Sequence, residues 1–260
     1  MAKGILRSRA AKIIISVLVV VALAATVFLS IGSSNGTISK GNSKQYNASE
    51  LIKNEDSLMQ DDLIAFLGSD FVYGTKSDGQ SFVDYLIKVD GIKAKKYGGE
   101  GYTLNGKGEG SLVESLNSVI KNGLNPMVLF CEVPVCNEKG RLKLGELTGS
   151  YFIGDYDTST IIGAMEYICS SADMNWGCKV VFITCPNDDN KKYAQIVEAA
   201  NQVAQKWNSG ILNFYDNEEI VIDKKQRRLY FVDSSSPTKA GYNAVYGPMA
   251  EEYINDKFHM

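Results

Sequence analysis

The 260-residue chain predicts an α/β protein built on a mostly parallel sheet of about five strands, and three observations carry that reading. Short runs rich in β-branched and aromatic residues alternate with longer stretches whose apolar residues recur every three or four positions. The composition, 45% apolar and 22% charged, is that of an ordinary globular domain. No internal repeat divides it, and about 200 residues suffice for one such domain.

The elements follow in order. Leu63–Leu67 is an apolar run of strand length, and Ile92–Lys96 is a weaker, more charged one. Leu112, Leu116 and Val119 put one apolar face on a helix from Ser111 to Lys121. Met127–Val133 is the next strand, followed by a helix over Thr160–Ser171, a strand over Lys179–Thr184 and a helix over Lys191–Trp207. A strand at Gly210–Phe214 and a final helix from Ala240 to Asn255 complete the set. Strands alternating with helices imply a parallel sheet covered on both faces, with ligands at the carboxyl ends of the strands.

The N-terminal part is of another kind. Ile13 to Ile31 are 19 residues without a charge, enough to cross a hydrocarbon core of about 30 Å. Lys3, Arg7, Arg9 and Lys12 all precede this run, so the positive-inside rule leaves residues 1–12 in the cytoplasm and the C-terminal body outside. The expectation is a single-pass protein of the cell membrane, anchored by residues 13–31. The alternative is secretion after cleavage near Ala22-Leu23-Ala24. Residues 32–60, rich in Ser, Asn, Gly and Lys, are expected to form a flexible linker to a domain spanning 61–260.

Charge and chemistry narrow the function. Without the four N-terminal cations the chain keeps 23 positive against 30 negative residues, a net charge of −7 that disfavours nucleic acid as a partner. The five cysteines (131, 136, 169, 178 and 185) are odd in number and mostly set in apolar runs, as buried free thiols are. The one histidine is His259, next to last, which leaves a histidine-rich metal site without ligands. No metal or cofactor is implied.

Four blocks carry a family resemblance. Ile64-Ala65-Phe66-Leu67-Gly68-Ser69-Asp70-Phe71-Val72-Tyr73-Gly74 resembles the first block of the SGNH, or GDSL, hydrolases. Gly101 in Glu100-Gly101-Tyr102 resembles the second, and Val128 to Asn137 the third. Asp233-Ser234-Ser235-Ser236-Pro237-Thr238-Lys239-Ala240-Gly241 is similar to the closing Asp-x-x-His and Pro-Thr-x-x-Gly. The resemblance implies a three-layer α/β/α, flavodoxin-like fold over about residues 61–257. It also implies a site in which a serine attacks an ester, a histidine takes its proton and an aspartate orients the histidine. A glycine amide and an asparagine would complete the oxyanion hole.

Carried over residue by residue, the serine position is Asp70, the histidine position Ser236 and the aspartate Asp233. The oxyanion positions are Gly101 and Cys136, or Asn137 after a one-residue slip. Nothing at Ser236 serves as a base, and alternation along a strand aims Ser69 away from the site. The expectation is a degenerate, outward-facing binding module for an envelope carbohydrate, an acylated polymer or an envelope protein. The alternative is an active esterase or deacetylase with a rearranged site. Asp70, Tyr73 and Tyr102 are the expected ligand contacts, with Tyr151 and Tyr156 in nearby loops.

Overall fold

A computed structural model describes residues 39–106, 108–138, 143–186 and 190–259. The anchor expected at 13–31 and the basic segment before it lie outside these residues. Among the described residues, no helix is long and apolar enough to cross a membrane.

Five parallel strands form the sheet: β1 (Leu63–Gly68), β2 (Lys93–Gly98), β3 (Val128–Val133), β4 (Lys179–Thr184) and β5 (Gly210–Leu212). Their order is β2-β1-β3-β4-β5. β3, inside the sheet, is buried along its whole length, whereas the edge strand β2 carries Lys93, Lys95 and Lys96, charges that discourage further pairing. β1 pairs with β2 on one side and β3 on the other, Leu67 standing opposite both Tyr97 and Cys131. The chain thus reverses direction across the sheet at β1, and a crevice opens between the carboxyl ends of β1 and β3.

The helices are α1 (Asp70–Tyr73), α2 (Phe82–Val89), α3 (Leu112–Lys121), α4 (Ile161–Trp176), α5 (Lys191–Trp207), α6 (Lys224–Tyr230), α7 (Lys239–Gly241) and α8 (Gly247–Phe258). α3, α4 and α5 pack side by side as one layer, and α2 packs on α8 in the other. Local signals set the boundaries. Ser81 closes a capping box with Asp84, Ser111 and Thr160 cap their helices with a side-chain oxygen, and Gly177 ends α4 in the left-handed region.

The expected elements are present, with shifted ends. The strand expected at Ile92–Lys96 runs to Gly98, and the one expected to reach Phe214 stops at Leu212. The helix over Thr160–Ser171 continues to Trp176, because nothing breaks it before Gly177. A π turn at Tyr242–Tyr246 interrupts the last helix. Helices α1, α2 and α6 are too short for an apolar period to reveal them.

Residues 39–60 are not a free tether. Three 3-10 turns (Lys40–Asn42, Lys44–Tyr46 and Ala48–Glu50) form a strap bound to the body. Asn42 donates to the Lys76 carbonyl at 2.7 Å and accepts from the Lys239 amide at 2.9 Å. The Ala48 amide donates to Gln80, and Asn243 donates to the Tyr46 carbonyl. Met59 is wholly buried in the core. Polar side chains dock this segment, so its composition gave no hydrophobic sign of order. All five cysteines are free thiols, four buried and Cys178 half-buried.

Candidate active-site cleft

The first turn after β1 builds the site. Ser69 leaves the strand, and α1 begins at Asp70 and stops at Gly74, whose φ of 68° suits glycine. Such a short helix still points unpaired amides toward its start. Three of them converge on one buried side chain: Glu132 accepts from the amides of Ser69 at 2.7 Å, Val72 at 2.9 Å and Phe71 at 3.4 Å. Glu132 comes from β3 and is 1% exposed. Burial pushes its carboxyl up to about 7, against the pull of those three amides; the charge of Asp70 adds a smaller rise.

Above it opens a cleft of about 350 Å³ at the carboxyl ends of the strands. Asp70, Gly101, Cys136, Asp233 and Ser236, the residues that the family resemblance singles out, all line it. Glu100, Glu132, Thr75, Lys76, Cys185, Ser235 and Tyr242 line it too.

The chemistry of these groups differs from a hydrolytic triad. Asp70, at the position that the resemblance gives to the nucleophile, is half-buried, and its Oδ1 accepts from the Gly101 amide at 3.3 Å and the Thr75 hydroxyl at 3.2 Å. A carboxylate therefore holds the amide to which the family resemblance gives the oxyanion role. Asp233 turns onto its own loop, accepting from the amides of Ser235 at 3.0 Å and Ser236 at 2.7 Å. His259 pairs with Asp62 at 2.7 Å, just before β1 begins, at the opposite end of the strands. A six-residue strand separates that end from Asp70 by about 20 Å.

Asn137 does not line the cleft. Its Oδ1 accepts from the Leu104 amide and its Nδ2 donates to Asn105, each at 2.7 Å, so its side chain holds the second-block loop instead. Cys136 lines the cleft in its place, its thiol on the Tyr102 carbonyl. Ser69 is fully buried with its Oγ 3.7 Å from the Cys136 Sγ, and it does not line the cleft. Burial holds the Cys185 thiol well above its ordinary range, which keeps it protonated and a poor nucleophile.

The tyrosines divide differently. Tyr73 and Tyr102 flank the cleft without lining it, Tyr73 under the Lys96 ammonium 6.0 Å from its ring. Tyr151 and Tyr156 belong to another cluster, packed edge-on against Trp207 around Lys206. Glu132, Thr75 and Lys76 were not singled out from sequence. Glu132 had a signal, a lone charge inside the apolar run Val128–Val133, where buried carboxylates are rare unless paired.

The chain matches no protein-family model and no curated protein. Solved structures do resemble it. A protein from Lactobacillus plantarum superposes with a TM-score of 0.60 at 16% identity, over 76% of this chain and 99% of that one. A GDSL-like lipase from Bacteroides ovatus gives 0.54 at 13% identity, over 76% and 100%. A member of the lipolytic G-D-S-L family from Veillonella parvula gives 0.51 at 13%, over 75% and 97%. At such identities the likeness establishes the fold, and this chain has the SGNH/GDSL-like hydrolase fold.

Proposed function

We propose that the chain is a membrane-anchored, outward-facing module that binds a polar envelope ligand, an acylated carbohydrate or polymer, in the SGNH-type cleft without cleaving it. The Asp70 carboxylate on the Gly101 amide carries this reading, because it replaces the nucleophile and occupies an oxyanion donor at once. No imidazole is within reach, since the only histidine is held at the far end by Asp62. Loss of a nucleophile or base from a triad costs about a million-fold in rate, and both are absent here. What remains is a cleft with carboxylates, hydroxyls and the Lys76 side chain, groups that hydrogen-bond hydroxyls and amides of a carbohydrate.

One observation favours a second reading, an esterase with a rearranged site. Glu132 lies on the cleft floor with its carboxyl raised to about 7, as a general acid or base requires. Its oxygens, however, are engaged by the α1 amides.

Acetylated oligosaccharides incubated with the full chain in detergent separate the two readings. Binding is expected with every acetyl group recovered intact, weakened about tenfold by Asp70→Ala, the loss of roughly one hydrogen bond to a charged group. Release of acetate above the buffer rate overturns the binding reading in favour of the esterase.

A further inference from the structure

We infer that the cleft opens onto the membrane that anchors the chain; this rests on the anchored reading above. The observation is the place where the strap enters the fold. Asn42 is buried with its side-chain amide between Lys76, which lines the cleft, and Lys239, two residues after the cleft-lining Pro237. A Cβ on Gly41 would come within 1.9 Å of the Leu229 carbonyl oxygen and 2.3 Å of the Thr238 hydroxyl. The strap is thus seated in a slot that admits only glycine there. Asn47 adds a second fastening by accepting from the Lys239 ammonium at 2.8 Å, and that ammonium pairs with Asp78.

The chain therefore meets the body at the cleft rim, at the carboxyl ends of the strands. Ser39 lies eight peptide steps after Ile31, the end of the uncharged run, a reach of at most about 28 Å. A domain of this size is about 40 Å across. A tether this short, fastened at the rim, holds the cleft end within that reach of the bilayer and forbids the orientation in which the amino ends of the strands face it. A longer or loosely joined linker would impose no such orientation.

The test uses the full chain with Cys178→Ser, carrying a donor dye either at Ser234→Cys, exposed beside the cleft, or at Lys93→Cys, exposed at the start of β2. The protein is reconstituted into phosphatidylglycerol vesicles with an acceptor on the lipid head groups. Energy transfer is expected to be at least about threefold higher from position 234, given a fold about 40 Å deep. Inserting a Gly/Ser segment of roughly 20 residues after Gly36 leaves the fold untouched and is expected to erase the difference. Equal or reversed transfer from a protein that still floats with the vesicles overturns the orientation and leaves the anchor standing. A difference that survives the insertion also overturns the tether as its cause. Failure to float overturns the anchored reading together with the inference.

Discussion

Among the described residues two glutamates are buried almost completely, and the chain treats them in opposite ways. Glu166 of α4 meets the Lys206 ammonium of α5, and that ammonium is further held by the Thr148 and Ser150 carbonyls and by the rings of Tyr151, Tyr156 and Trp207. Glu132, under the cleft, has no cation bonded to it among the described residues; it is held by the amides that open α1 and by the Cys185 thiol at 3.7 Å. The first arrangement is closed and ties the loop before α4 to α5. The second leaves a carboxylate whose proton is easily gained, beside a space open to a ligand. The difference separates a polar cluster that holds the fold from one that shapes a site.

Breaking the closed cluster has the largest expected effect. Lys206→Met leaves Glu166 buried without its partner, and the expected loss is about 3–5 kcal/mol in urea unfolding. A loss under about 1 kcal/mol would mean that Glu166 is not held as a buried ion pair.

The open cluster answers to pH. Burial raises Glu132 from 4.5 to about 7, so the folded state keeps a proton that the unfolded chain releases between those values. Stability falls as pH rises through this window, by about 3 kcal/mol from this group. Glu132→Gln has no proton to lose and removes that fall, so the variant gains on the parent by the same amount between pH 4.5 and 8. Parallel stability curves for the two proteins would contradict it. The smallest effect sharpens the link between site and floor. Asp70→Asn removes a charge that raises Glu132, and its carbon-13 carboxyl titration should move down by less than about one pH unit. A midpoint that stays or rises would show that the two carboxylates do not sense each other.

The same contrast explains what the sequence revealed. The strand and helix alternation was legible because β1, β3 and β4 are buried and helices α3 to α5 carry apolar stripes. The order Gly68-Ser69-Asp70 and the single misplaced histidine were enough to expect a changed triad, and Gly101, Cys136, Asp233 and Ser236 do come together around Asp70. The choice between Cys136 and Asn137 was not legible, since it depends on which side chain Leu104 and Asn105 capture. The strap was missed because asparagine side chains dock it, and hydropathy does not record hydrogen bonds. Glu132 shows as a misplaced charge in sequence, but its partners, the amides of Ser69, Phe71 and Val72, lie more than 50 residues away.

The most direct measurement is hydrolysis of short activated acyl esters by the full chain in detergent, beside its Asp70→Ala variant. Both are expected to run at the buffer rate, because a carboxylate without an imidazole cannot complete acyl transfer to water. Turnover by the parent well above buffer, lost in Asp70→Ala, would contradict it and make Asp70 a working nucleophile.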